Sequence, residues 1–98
     1  MIRPFDFGFN DETSMDNHYQ KKINKKNIAQ LAVEEFENLV LHLKNSDIDV
    51  YVYNDDDMYK TPDSVFPNNW ISTHQNGDVV LFPMLAKSRR MERRPEVL

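Results

Sequence analysis

Apolar residues between positions 28 and 43 recur mostly three or four apart: Ile28, Leu31, Ala32, Phe36, Leu39, Val40 and Leu43. That spacing puts them on one stripe of a helix and predicts an amphipathic helix from about Ile23 to Lys44. Lys25, Lys26, Glu34, Glu35, Glu37 and Lys44 lie mostly off the stripe. Asn27 with Gln30 three residues on has the outline of a capping box, and Asn45 can take the left-handed turn that ends such a helix. Elsewhere the period shortens. Asp49 to Tyr53 is rich in Val and Tyr and reads as a strand. Trp70–His74 and Val79–Phe82 read as a pair of strands joined through Gln75-Asn76-Gly77-Asp78, with Asn-Gly as the centre of a two-residue hairpin turn and Pro83 as the stop.

The remaining stretches are less regular. Met1 to Pro4 reads as the tail of a strand. Phe5 to Gln20 is turn-like through Gly8, Asn10, Asp11, Ser14 and Asn17, while the alternation of Phe5, Phe7 and Phe9 predicts burial at one side. Pro95, near the end, suits the first turn of a further helix. The order is strand stub, loop, helix, strand, loop, hairpin. It specifies an α/β unit of about four strands and one long amphipathic helix. Val79-Val80-Leu81-Phe82 is a continuous apolar run, expected of a strand buried on both faces, so the unit reads as part of something larger.

Composition narrows the function classes. The 98 residues suffice for one modest domain, and a formal net charge of -4 speaks against a nucleic-acid-binding surface. No apolar run approaches the roughly 18 residues a membrane span needs, and no signal peptide is visible, so a cytoplasmic location is the default. The chain has no Cys, hence no disulfide, no zinc-thiolate site and no thiol nucleophile of its own. No cofactor is expected.

Candidate chemistry concentrates in "PDSVFPNNW", Pro62 to Trp70. Asp63 can pair with a guanidinium or ammonium group, and the amides of Asn68 and Asn69 offer both donor and acceptor to a neutral urea or amide. Asp and Asn beside Pro are also ordinary turn chemistry, and local composition favours that reading. His74 would share a strand face with Ser72, but flat-strand neighbours seldom reach nucleophile–base geometry, and His74 is taken as structural. His18 and His42 make no ligand spacing with it, so no metal site is expected. Asp55-Asp56-Asp57 reads as a solvated acidic turn. The basic run Arg89, Arg90, Arg93, Arg94 reads as a solvated helix start, though an Arg fork also fits a substrate carboxylate.

Taken together, "RPFDFGFN", "TPDSVFPNNWISTH" and "GDVVLFPMLAKSRRMERR" resemble the N-terminal part of an amidinotransferase-superfamily protein of the pentein fold, in its citrulline-utilization hydrolase branch. The resemblance implies one ββαβ module of an incomplete α/β propeller, with residues 1–83 as the first module and 84–98 as the opening of the second. It implies a single partial domain and a small-molecule amino-acid substrate, ureido or guanidino. Sheet edges left open would allow self-association. Asp63 and Phe66 match the substrate-contacting acid and aromatic of this loop in dimethylargininase-like relatives, and Arg89 matches the arginine that grips the substrate carboxylate. Asn68 and Asn69 stand where guanidine hydrolases carry an acidic pair, an exchange that removes two charges, adds donors and suits a neutral ureido group. In the family mechanism a Cys thiolate attacks the central carbon, ammonia leaves, and a His-activated water releases the product. Neither catalytic residue has a counterpart here, and His74 does not match that histidine. A noncatalytic binding or assembly module is the alternative.

Overall fold

The computed structural model describes residues 1–15, 27–55, 58 and 60–98. Strand β1 (Ile2–Arg3) lies parallel to β2 (Tyr53–Asn54), in the register Ile2↔Tyr53 and Arg3↔Asn54. A parallel pair needs a long crossover. Helix α2 (Ile28–Asn45) lies within it. Pairing extends past the strand ends: Tyr53 N–H donates to the Met1 carbonyl (2.9 Å) and Asp55 N–H to that of Arg3 (3.2 Å). The strand expected at Asp49–Tyr53 is thus present but shorter and shifted toward Asn54. Arg3 ties the layers together, donating through Nε to Glu37 on α2 and through Nη1 to the Asn54 side chain.

Helix α2 follows the predicted stripe, though only Phe36 and Val40, one turn apart, are buried. Leu31 and Leu39 are exposed and, with Ala32, Phe7, Val65 and Phe66, line an apolar cavity of about 590 Å³. The helix ends differ from expectation. Asn27 takes a left-handed φ of 73° and makes no side-chain cap, so there is no capping box. At the other end Asn45 is still helical, and Asp47 takes the left-handed turn with φ 57°. Ile48 N–H donates to Leu43 and Asp47 N–H to Lys44, which satisfies two terminal carbonyls by the six-to-one and five-to-two bonds of a Schellman ending. Residues 16–26, with Asn17, His18, Lys25 and Lys26 among them, lie outside the described residues, as do Asp56 and Asp57.

Strands β3 (Ile71–Thr73) and β4 (Val79–Leu81) form a separate antiparallel ladder, Ile71↔Leu81 to Thr73↔Val79. Their connection is not the expected two-residue turn. A type I′ turn needs positive φ at two successive residues, and of this pair only Gly77, at 91°, has it. Gly77 N–H donates to the His74 carbonyl (3.0 Å) and His74 N–H to that of Asp78 (2.9 Å), closing a loop of Gln75, Asn76 and Gly77. Asn76 acts through its side chain instead, accepting from Asp78 N–H at 3.2 Å. Within the described residues β4 does not gain the burial on both faces expected of its apolar run. Val79, Val80, Leu81 and Phe82 are all exposed.

Among the described residues the buried apolar set is thin: Ile2, Phe36, Val40, Trp70 and Met84. Polar residues occupy much of the interior, and their pairing decides the geometry of the loops. Phe5 is exposed and Phe7 and Phe9 are half-buried, so aromatic burial is not what anchors the N-terminal loop. No described helix is long and apolar enough to cross a membrane.

Candidate functional site

The site begins with a buried ion pair behind the "PDSVFPNNW" loop. Asp55, expected on a solvated acidic turn, is buried and paired with the guanidinium of Arg94, which is buried too. Both residues were expected in water; once removed from it, a charge needs a partner and further hydrogen bonds. Thr61 Oγ1 donates to the same carboxylate (3.1 and 3.2 Å), as does Ser64 Oγ (2.6 Å), and Arg94 Nη1 donates to the Asn54 carbonyl (2.8 Å). Two hydroxyls of the loop are therefore fastened to a fixed charge pair. Asp63 sits between them in sequence.

From that anchor the loop coils through successive three-residue turns. Ser64 N–H donates to Thr61, Phe66 to Asp63, Asn69 to Phe66 and Trp70 to Pro67, each at 3.0–3.1 Å. The last of these belong to a 3₁₀ turn, Pro67–Asn69, which leaves Asn68 and Asn69 exposed and buries Trp70 at 1% exposure. Among the described residues the Trp70 indole N–H finds no partner.

Asp63 itself is buried. Its Oδ2 accepts from Asn10 Nδ2 at 2.8 Å and from Thr13 Oγ1 at 3.4 Å, and it lies 3.9 Å from Arg89 Nε. Arg89 stands on the single-turn helix α3 (Lys87–Arg90) and its side chain is 14% exposed, rather than part of a solvated helix start. It grips Glu92 two-fold, through Nε (3.0 Å) and Nη2 (3.0 Å). Burial pushes the Glu92 carboxyl above its ordinary range, against the pull of the Arg89 guanidinium.

A short helix, α1 (Asp11–Ser14), closes this side. Asn10 caps it by accepting from Glu12 N–H at 3.1 Å, so one side chain both starts the helix and holds Asp63. Glu12 reaches Ser88 at the start of α3, accepting from its N–H and its Oγ at 3.0 Å each. Those bonds, the one from the Ser88 backbone foremost, hold the Glu12 carboxyl below its usual range.

Of the residues expected to form the site, the structure brings three together. Arg89 and Asn69 line one cavity of about 350 Å³, with Glu12, Thr13, Met84 and Leu85, and Asp63 is paired to Arg89 at its edge. Phe66 lies elsewhere. It meets Phe7 edge-on, ring centroids 6.5 Å apart, and lines the apolar cavity under α2. Asn68 is exposed on the 3₁₀ turn. His74 and Ser72 touch (Nε2 to Oγ 3.1 Å) on the exposed hairpin.

Sequence reasoning missed Asn10, Glu12, Thr13, Ser88 and Glu92. Two of these left a signal: Asn10 precedes the acidic start Asp11-Glu12, a helix-start pattern, and Glu92 follows Arg89 by three residues. The pairings of Asn10 with Asp63 and of Arg94 with Asp55 left none, since each joins residues far apart in the chain.

Compared with known proteins, residues 3–98 match the family model described as N,N dimethylarginine dimethylhydrolase, eukaryotic. No curated protein and no solved structure matches the chain.

Proposed function

We propose a function from one premise: the chain belongs to the eukaryotic N,N dimethylarginine dimethylhydrolase family. It is the N-terminal, substrate-binding part of an amidinotransferase-like hydrolase that acts on a guanidino or ureido amino acid. The family's own name supports the guanidino class, a methylated arginine. One observation carries the site: Arg89, paired to Asp63, shares a cavity of about 350 Å³ with Asn69. A free amino acid with a ureido or guanidino tail offers a carboxylate for the guanidinium and an amide-like group for the Asn.

The division of labour follows from the chemistry. Arg89 takes the substrate carboxylate, Asp63 fixes Arg89 and an incoming cationic group, and Asn69, with Asn68 beside it, meets the reacting group. The resemblance of its loop makes Phe66 an apolar contact for the substrate, while in this structure it lines the cavity under α2. With no Cys in these 98 residues, the thiolate that attacks the central carbon and the His that activates water are to come from other residues of the assembled protein. Within the wider amidinotransferase superfamily, the citrulline-utilization branch is the reading that the exchange at Asn68-Asn69 supports. A ureido carbonyl wants a donor, which Asn supplies and a carboxylate does not.

The test is Asn69→Asp in the product of the complete reading frame, assayed by kcat/KM on citrulline and on arginine or dimethylarginine. Once the ligand covers Asn69, a carboxylate facing the ureido carbonyl leaves that polar contact unpaired, at about 1–3 kcal/mol or roughly ten- to a hundredfold. The guanidinium substrates lose less or gain, since the new charge pairs with them. A ratio that stays put, or shifts toward citrulline, makes Asn69 a turn residue. No binding or turnover of any of these substrates by the wild-type protein overturns the whole reading. The exposed apolar strand β4 favours a second reading, a noncatalytic assembly module, which that last result would leave standing.

A further inference from the structure

We infer that Glu92 is a positioning residue, which sets the direction in which Arg89 presents its remaining N–H groups to the ligand carboxylate. The inference rests on the reading of Arg89 as the carboxylate grip.

Arg89 Nε donates to both Glu92 oxygens (3.0 and 3.3 Å), and Nη2 donates to Oε2 at 3.0 Å. A planar guanidinium held along its Nε–Nη2 edge by a carboxylate has lost its rotational freedom. Nη2 has one further contact, a long one to the Asp63 carbonyl at 3.5 Å. Among the described residues Nη1 makes no hydrogen bond, and the side chain lines the same cavity as Asn69. The guanidinium thus spends one edge on Glu92 and keeps another for a ligand.

Burial makes the clamp rigid. The Glu92 side chain is 1% exposed, so water does not compete for its oxygens. Glu92 also tightens the local turn, its N–H donating to the Arg89 carbonyl at 3.1 Å. The charged groups around it are Arg89, which favours its ionised form, and Asp63 and Asp55, which oppose it. A carboxylate set against Arg89 purely for charge would weaken a second carboxylate's attraction to the same cation. Pre-ordering acts in the opposite sense, because an arginine already fixed loses no further rotamer freedom when a ligand binds. The two roles therefore predict opposite results on removal of the charge.

The experiment measures affinity of the complete reading-frame product for citrulline and for its analogue lacking the carboxylate. The proteins are wild type, Arg89→Lys, Glu92→Gln and Glu92→Asp. Glu92→Gln turns an amide N–H₂ toward the guanidinium and should weaken citrulline about three- to tenfold while leaving the analogue unchanged. Glu92→Asp, which keeps the charge, should recover part of the loss. Citrulline binding that is unchanged or tighter in Glu92→Gln, with Arg89→Lys still selectively impaired, overturns the positioning role and leaves Arg89 as the grip. If wild type does not discriminate the two ligands, the grip itself is wrong and the inference goes with it. Should Glu92→Gln fail to fold, the wild-type Arg89 Nε–H resonance decides. Slow hydrogen exchange fits the clamp, and exchange at the rate of a free arginine overturns it.

Discussion

Asn10 Nδ2 donates to Asp63 Oδ2 over 2.8 Å, and both residues are buried. This bond joins the turn that starts α1 to the loop that carries the candidate substrate residues. Removing the donor leaves a buried carboxylate short of a partner, so Asn10→Ala should destabilise the fold by about 1–3 kcal/mol. Asn10→Asp sets a second carboxylate against Asp63 and should cost more than Asn10→Ala. Urea unfolding of the three proteins checks the order; a variant as stable as wild type would show that the bond carries no load.

The clasp between Glu12 and Ser88 should respond to acid. The Glu12 carboxyl is held below its ordinary range, chiefly by the Ser88 N–H. Its contribution is therefore present above the unfolded glutamate range and is lost as pH falls through the lowered folded value. Glu92 has the opposite sign: burial raises it, so its ionisation works against the fold as pH climbs from the unfolded glutamate range through the raised value. Stability measured from pH 3 to 7 should lose its most acidic slope in Glu12→Gln. An unchanged slope would mean that the Ser88 contacts do not persist in solution.

Arg94 and Asp55 should behave as a unit. Arg94→Ala takes the guanidinium away from a buried carboxylate that also accepts from Thr61 and Ser64, at a cost of about 3–5 kcal/mol. That is a large share of the roughly 5–15 kcal/mol by which domains of this size are stable. Replacing both members, as Asp55→Leu with Arg94→Met, should recover part of the loss. A double variant no better than Arg94→Ala alone would assign the loss to packing rather than to the lost ion pair.

Self-association is the outcome expected of β4. Val79, Val80, Leu81 and Phe82 are exposed, and the ladder of β3 and β4 has two strands and hence two open edges among the described residues. Open edges and uncovered apolar faces favour pairing with another chain. The 98-residue chain should sediment with a concentration-dependent mass, and Val80→Lys with Phe82→Lys, on one face of the strand, should reduce it. A monomer at high concentration would remove strand exposure as a driving force.

Local rules determined a good deal of this protein. The 3.6-residue spacing of Ile28 to Leu43 specified α2, because one stripe of a helix must face the interior. The order of strand, helix and hairpin followed from where that period gave way to runs of Val, Tyr and Ile. The quoted segments pointed to the superfamily though not to its branch, since a motif is a property of sequence itself, and the family model matches residues 3–98. What tertiary structure alone decided is which charges are buried. Asp55, Arg94, Asp63 and Arg89 look like solvated turn and helix-end residues until partners from far along the chain remove them from water. Asn10 becomes part of the site only because α1 lies against the loop. The hairpin shows the same limit in small: Asn76-Gly77 marked the turn, but its loop length was set by which residue took the positive φ. Periodicity records which side of an element avoids water; it holds no record of which distant residue will meet a charge there.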